Sequence, residues 1–347
     1  MNSSTSQLIE NSTLREISND LFGSEFDEIL YNLMNQTAIV VAILGILGNV
    51  FNFIVILSLR GRHGFLSGAA GLIILHQSII DAVATVAELL HLFIDPSWVP
   101  SGFLINWIIC KLWNGTVIFY LLTILSTHNV VFLTIERYIA LNHPFFHKSQ
   151  TQCKILFSGW GYVYIISLLI SFPNTFNNQL IENNECIPYF VPYPFSEFPM
   201  GTLYIIYQIA WCLINYVFPA LASIILSFLI IYNLKRKTKF SQESGGVSSD
   251  KKSQAAKELT IIAILQSFFF ITCLAPDSIN AIFYGFHLVD WTLFSPVQRL
   301  GTFMITINLA FNPYICFLLL PNIRKKILKI FTICRNDTIQ VTHSKEI

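Results

Sequence analysis

The sequence predicts an all-α membrane protein, built as a bundle of seven transmembrane helices. Hydrophobic residues make up 54% of the 347 residues and charged residues only 12%, whereas soluble domains carry about 25% charged residues. Seven apolar segments are each long enough to cross the roughly 30 Å hydrocarbon core of a bilayer as a helix. The net charge of +1 argues against nucleic acid as a partner.

The apolar segments divide the chain into three parts. Residues 1–36 are a polar tail expected outside the cell, residues 37–320 are the bundle, and residues 321–347 are an amphipathic eighth helix with a cytoplasmic tail. The predicted spans lie near 37–59, 68–93, 107–140, 155–173, 202–233, 257–286 and 298–320.

Basic residues set the predicted orientation of the bundle. With the N-terminus outside, all but three of the 21 lysines and arginines fall on the inner side, the exceptions being Arg15, Lys111 and Arg299. This bias follows the positive-inside rule, so the sequence predicts an extracellular N-terminus.

Both ends of the chain carry candidate modification sites. Glycosylation sequons begin at Asn2, Asn11 and Asn35, and the polar start of the chain predicts no cleavable signal peptide. Residues 324–329 mix basic and apolar residues as expected of a helix on the anionic inner leaflet. Cys334 follows this helix and is either palmitoylated or an inert reduced thiol.

Cysteine placement predicts one disulfide. Cys110 and Cys186 fall on the outer side, whereas the other cysteines fall within the bilayer or on the cytosolic side, where thiols stay reduced. We therefore expect a Cys110–Cys186 bond that ties the long outer loop 174–201 over the mouth of the bundle.

Ionisable residues inside the spans are the candidate functional residues, because charge is costly there. Glu136, Arg137 and Tyr138 close the third span, where the arginine is either functional or extends to the headgroups. Asp81 lies in the middle of the second span, and its expected neighbours are Asn49, Ser126, Asn308 and Asn312. From the residues alone, a hydrated sodium pocket with oxygen ligands and a protonated Asp81 with neutral partners stay equally open.

Two further acids predict a ligand site in the outer half. Glu88 and Asp277 have no obvious basic partner inside the spans, which favours an acidic pocket for a cationic ligand over protonated or loop-facing side chains. Pro173, Pro219 and Pro276, like Pro313, interrupt spans and are either hinges or static bends. We find no catalytic motif or metal-ligand spacing, so no enzyme activity or bound cofactor beyond a sodium ion is expected.

The chain resembles the rhodopsin-like (class A) G-protein-coupled receptors over residues 37–333. Each motif alone is weak evidence for the family, but all of them occurring in the family's order is specific evidence. The matching residues are Gly48-Asn49, Asp81, Cys110, Glu136-Arg137-Tyr138, Trp160, Cys186, Phe218-Pro219, Phe270, Cys273-Leu274-Ala275-Pro276 and Asn312-Pro313.

The resemblance implies roles for these positions. It favours an allosteric sodium ion held by Asp81, Ser126, Asn308 and Asn312, and it makes Arg137 the contact for a heterotrimeric G protein, with Pro144-Phe145 docking beside it. It also implies a plasma-membrane location, an extracellular ligand, and arrestin and membrane lipid as further partners. The expected ligand-pocket residues are Glu88, Phe119, Tyr120, Thr123 and Asp277, and the expected switch residues are Phe270, Leu274, Pro276, Pro313 and Cys316.

The departures from the family pattern lie between the expected ligand pocket and the expected G-protein contact. Leu274 replaces the sixth-helix tryptophan, and Cys316 and Ser227 stand where tyrosines are usual. Glu258 is the nearest candidate for the sixth-helix acid that holds Arg137, and the interval from Cys110 to Arg137 is two residues longer than usual.

The ligand class is the least determined feature. The outer acids favour a basic or amidated peptide, and Phe119 stands where amine receptors carry an aspartate. A small-molecule or lipid receptor is the alternative. An opsin is disfavoured because Thr306 stands in place of the retinal lysine. A transporter or channel is disfavoured because seven spans without an internal repeat are atypical of such proteins.

Overall fold

A computed structural model describes residues 4–60, 68–94, 102–149, 152–176, 178–180, 186–188, 200–243, 250–285, 296–320 and 323–324. The predicted eighth helix and Cys334 lie outside these residues, apart from Ile323 and Arg324.

Seven helices of the structure are long and apolar enough to cross a membrane, which confirms the predicted spans. Their apolar parts are Tyr31–Leu59, Ala69–Phe93, Val117–Asn142, Lys154–Thr175, Ile205–Leu234, Lys257–Phe283 and Pro296–Leu319. The α-helices are α1 (Ser4–Arg60), α2 (Ala69–Phe93), α3 (Phe103–Ile108), α4 (Val117–Asn142), α5 (Pro144–Ser149), α6 (Gln152–Ser171), α7 (Met200–Cys212), α8 (Phe218–Glu243), α9 (Asp250–Gly285) and α10 (Pro296–Leu319). Helix α1 therefore continues well into the polar tail that precedes the first span.

The third predicted span is not one continuous helix. After α3 the chain forms a π-helix over Ile109–Asn114, and Thr116 takes a left-handed conformation with φ of 54° before α4 begins. Gly115 weakens the helix at this point, and a π-helix holds more residues per turn than an α-helix. The irregular stretch lies within the interval between Cys110 and Arg137.

Prolines shape the other spans in different ways. A π-helix over Leu213–Val217 separates α7 from α8, and Pro219 is the second residue of α8. Pro276 and Pro313 lie inside α9 and α10, as predicted. Pro173 instead lies in the 3-10 turn Phe172–Phe176 that closes the fourth span, so it ends that span rather than bending it.

Helix α4 is the most deeply buried span and packs against α2, α6, α8 and α9. Two apolar clusters fill the bundle, one toward each end. On α2, Ile80 belongs to one cluster and Ala84 to the other, so Asp81 lies at the boundary between the two clusters. Asn312 lies between Leu309 and Ile315 on α10 in the same way. The structure thus places a polar layer between two apolar ones.

The outer faces of the spans are apolar. Leu47 on α1, Leu169 on α6 and Phe228 on α8 each expose more than half of their surface. An exposed apolar surface that extends over several helices is unusual in a soluble monomer. These faces match the hydrocarbon of a bilayer.

A disulfide closes one end of the bundle. Strand β1 (Asn178–Leu180) pairs antiparallel with β2 (Cys186–Pro188), and Cys186 is bonded to Cys110 with a Cα–Cα distance of 5.4 Å. The predicted disulfide is confirmed. Below, this end is called the disulfide end, and the opposite end, where α4 finishes, the Arg137 end.

Candidate functional site

The polar layer centres on the carboxyl group of Asp81, which is fully buried. Its Oδ1 accepts hydrogen bonds from Ser126 Oγ at 2.7 Å and from Gln77 Nε2 at 2.8 Å. Its Oδ2 accepts from Asn312 Nδ2 at 2.7 Å. The structure therefore brings together three of the predicted pocket residues from α2, α4 and α10 and adds Gln77.

The other two predicted pocket residues, Asn49 and Asn308, form no hydrogen bond with Asp81 in the described part of the chain. Asn49 donates to the backbone carbonyls of Gly45 at 3.0 Å and Leu309 at 3.1 Å, which joins α1 to α10. Asn308 is buried on α10, and within the described part of the chain its Oδ1 has no hydrogen-bond partner. Buried amide oxygens of this kind are suited to bind water.

The donors around Asp81 bear on the predicted sodium ion. A hard cation requires oxygen ligands, and Asp81 supplies the only carboxylate among the predicted ligands. Both of its oxygens accept hydrogen bonds, and Gln77 Nε2 also donates to Ser126 Oγ at 2.5 Å. In this arrangement, the Gln77 amide nitrogen binds the oxygens of Asp81 and Ser126 that the predicted sodium ion would share.

A cluster of charged residues lies at the disulfide end. Arg299 Nη1 is 3.5 Å from Glu88 Oε1, and both residues are buried. We expected Glu88 to have no basic partner inside the spans, and this expectation is wrong. Arg299 is in the first turn of α10, so helix packing brings it against α2.

Asp277, the second predicted acid, is also buried in this half of the bundle. Its Oδ1 accepts a hydrogen bond from the Tyr120 hydroxyl at 3.1 Å. A Cβ added at Gly301 would lie 2.6 Å from the same oxygen, so the glycine permits α9 to approach α10 closely. Among the described residues, Glu88, Asp277 and Arg299 are thus charged residues buried in the same half of the bundle.

Aromatic side chains surround Tyr120. Its ring centroid lies 5.7 Å from that of Phe119 and 6.0 Å from that of Trp211, both in edge-on contacts. Thr123, also predicted for the ligand pocket, donates instead to the carbonyl of Phe119 one turn earlier.

The Arg137 end contains a closed charge pair. The Arg137 guanidinium binds the carboxylate of the adjacent Glu136, and both side chains are largely buried. His147 on α5 also contacts Glu136, with Nε2 3.0 Å from Oε1. Within the described residues, Glu258 is not a partner of Arg137, so the predicted substitute for the sixth-helix acid does not form.

The predicted docking residues flank this pair. Pro144 begins α5, and Phe145 is 89% exposed. The Tyr138 ring packs edge-on against His143, which precedes α5. One turn before Arg137, Thr134 Oγ1 lies 3.3 Å from Ser267 Oγ and links α4 to α9.

The switch residues occupy both apolar clusters. Phe270 and Leu274 are buried together in the cluster toward the disulfide end, whereas Cys316 is buried in the other cluster. Tyr314 does not replace the missing tyrosine, because its hydroxyl donates to the carbonyl of Leu44 on α1 at 3.0 Å.

Tyr216 is a residue that sequence reasoning missed. Its hydroxyl donates to the carbonyl of Ile271 at 3.0 Å. That carbonyl lies just before the turn in which Pro276 removes a backbone donor, where helix hydrogen bonding is weakened. The π-helix of the fifth span thus supports the interrupted part of α9.

The predicted modification sites stay predictions. Asn2 and Cys334 lie outside the described residues. Asn11 belongs to helix α1, but the structure describes only its backbone.

The fold and the motifs at its two ends define a class of membrane receptor. A family model described as 7 transmembrane receptor (rhodopsin family) matches residues 51–315, and the chain belongs to this family. The chain is therefore a G-protein-coupled receptor and not an enzyme. Its seven apolar helices make it a multi-pass protein of the plasma membrane.

Comparison with known proteins finds similar receptors. Neuromedin-U receptor 2 of Homo sapiens is 23% identical over 288 residues, which cover 80% of this chain and 66% of that receptor. The Rattus norvegicus protein of the same name is 23% identical over 80% of this chain and 69% of its own length. The Mus musculus protein is also 23% identical, over 83% of this chain and 73% of its own length.

Proposed function

We propose that this receptor binds an extracellular peptide at the disulfide end and activates a heterotrimeric G protein at the Arg137 end, with its N-terminus outside the cell. The observation that carries this proposal is the Glu136–Arg137 pair beside the exposed Phe145. A large apolar side chain held outside the bundle next to a closed charge pair suits a surface that a protein partner covers.

The charges at the disulfide end favour a basic ligand. Two carboxylates, Glu88 and Asp277, are buried in this half of the bundle. Carboxylates in a binding site suit a ligand of opposite charge, because complementary charges steer encounter and favour the correct partner. A basic or C-terminally amidated peptide fits this site, and a peptide ligand agrees with similar receptors named for neuromedin U.

Other partners follow from the same geometry. The surface beside Phe145 would also receive arrestin, and membrane lipid would contact the apolar outer faces. The net charge of +1 does not favour nucleic acid as a partner.

The test is a peptide screen with charge-neutralising variants. Cells expressing the receptor are exposed to basic and amidated peptides, neuromedin U included, and to matched acidic peptides, and G-protein activation is recorded. We expect a basic peptide to activate, and Asp277→Asn or Glu88→Gln to weaken its binding by about 10- to 100-fold, because each variant removes a carboxylate proposed to face the charged ligand.

Glu258→Gln is the matched control, because it removes an acid near the other end of α9. Its affinity for a labelled peptide should equal that of the unaltered receptor. Activation by a neutral small molecule or a lipid in place of every peptide, or unchanged affinity in both outer variants, would reject the peptide assignment.

A further inference from the structure

Gln77 occupies the centre of the polar layer. It lies on α2 one turn before Asp81 and is buried. Its amide nitrogen donates to Asp81 Oδ1 at 2.8 Å and to Ser126 Oγ at 2.5 Å. An amide nitrogen carries two hydrogens, so both are used by two of the oxygens expected to bind a cation.

A backbone carbonyl determines which way this amide points. Asn129 Nδ2 lies 3.1 Å from the carbonyl oxygen of Ile73, a group that can only accept a hydrogen bond. The same nitrogen therefore donates to the Gln77 atom 2.6 Å away, which must be the carbonyl oxygen Oε1. The NH2 group of Gln77 consequently faces Asp81, and the hydrogen-bond network itself assigns this orientation.

The series of hydrogen bonds continues to α6. Asn129 Oδ1 lies 3.0 Å from His76 Nδ1, and His76 Nε2 lies 2.7 Å from the Tyr164 hydroxyl. Because the Asn129 oxygen accepts, Nδ1 of His76 carries a proton, and in a neutral ring Nε2 accepts from Tyr164. From Tyr164 to Asp81 every donor points the same way, and aligned hydrogen bonds polarise one another.

We propose that the Gln77 amide takes the place of a cation in the Asp81 pocket, so that this receptor does not bind sodium there. The two N–H groups of Gln77 present partial positive charge to the oxygens of Asp81 and Ser126. A sodium ion shared by these oxygens would have to displace Nε2, which would leave buried donors without acceptors at a cost of about 1–3 kcal/mol each.

The hydrogen-bond series keeps Gln77 in this position. Asn129 on α4 and His76 on α2 fill the space between the pocket and Tyr164, and the His76 ring packs against Trp160 at 4.7 Å between centroids. Tyr164 is 42% exposed, so the series runs from the outer surface of the bundle to its centre. This inference does not depend on the proposed ligand or on coupling to a G protein.

The test is thermal unfolding of the purified receptor without ligand, in sodium chloride or in choline chloride at equal ionic strength. A thiol-reactive dye reports unfolding, because Cys212, Cys273 and Cys316 are buried free thiols. We expect the Tm of the unaltered receptor to agree within about 1 °C in the two salts, since an ion that does not bind the folded state cannot stabilise it. Saturable stabilisation by sodium, lost in Asp81→Asn, would overturn the proposal.

Gln77→Ala removes the amide and opens its space. This variant should gain a sodium-dependent rise in Tm of at least about 2 °C, which a further Asp81→Asn change should abolish. Gln266→Ala removes another buried glutamine, on α9, and should show no sodium dependence. If Gln77→Ala does not fold, Gln77→Ser takes its place, and a folded Gln77 variant that ignores sodium would show that the amide is not what excludes the ion.

Discussion

At the residue scale, Arg137 shows how a local motif and a distant contact combine. A helix-end arginine can extend its charge toward the headgroups, but the Arg137 side chain is 11% exposed and binds Glu136. His147 adds a second contact to the same carboxylate. His147 could not be identified as a partner of Glu136 from the sequence, because only the turn after α4 and the short helix α5 bring the two residues together.

Arg137→Ala should abolish G-protein activation while leaving surface expression largely intact. The substitution removes the charged group proposed to meet the G protein and leaves Glu136 buried with His147 as its contact. Nucleotide exchange by the G protein and antibody labelling of intact cells measure the two effects. Arg324→Ala changes an exposed arginine near the same end and should keep most of the activity. Normal signalling by Arg137→Ala would refute the proposed coupling site.

At the element scale, helix packing depends on where side chains are absent. A Cβ added at Gly159 on α6 would lie 2.0–2.5 Å from ring atoms of Phe132 on α4. The absence of a side chain at this position allows the Phe132 ring to pack against α6. A Cβ added at Gly161, two residues later on the same helix, would meet nothing within 4 Å. The two glycines thus differ in what they do for the fold.

Gly159→Ala should lower the stability of the receptor by about 1–3 kcal/mol, because overpacking forces Phe132 to move. Gly161→Ala is the matched control and should be neutral or stabilising by up to about 1 kcal/mol, since alanine favours a helix more than glycine does. Thermal unfolding measures both variants. Adding Phe132→Leu to Gly159→Ala should recover part of the loss, and equal stability of the two alanine variants would contradict the packing described.

At the scale of the whole molecule, the bundle has two chemically different ends joined by a polar layer. Asn312 and Asp81 are far apart in the chain, yet their side chains lie 2.7 Å apart and connect α10 to α2. Interhelical hydrogen bonds of this kind support helix association inside a bilayer. The orientation of the two ends rests on the distribution of basic residues, and we propose that the disulfide end faces outward.

An epitope at the N-terminus should therefore be accessible to antibody on intact cells, whereas one at the C-terminus should require permeabilised cells. Removal of N-linked glycans should lower the apparent mass, and Asn2→Gln with Asn11→Gln should eliminate most of that change. Labelling of the C-terminal epitope on intact cells would reverse the proposed orientation.

Much of the fold could be predicted from the sequence because its signals are local. Apolar segments of sufficient length must become helices in a bilayer, since their backbone groups find no water there. The disulfide followed from the side of the membrane on which each cysteine lies. The interruption before α4 was not predicted, because the third apolar segment runs through Gly115 and Thr116 without a proline to mark the change.

The sequence by itself determined the seven spans, the disulfide and the residues from which the polar layer is drawn. Only the tertiary structure decided their partners. Arg299 meets Glu88, His147 meets Glu136 and Gln77 takes the centre of the Asp81 pocket. The physical reason is that hydropathy determines whether a segment enters the membrane, whereas the rotation and packing of each helix determine which of its side chains meet.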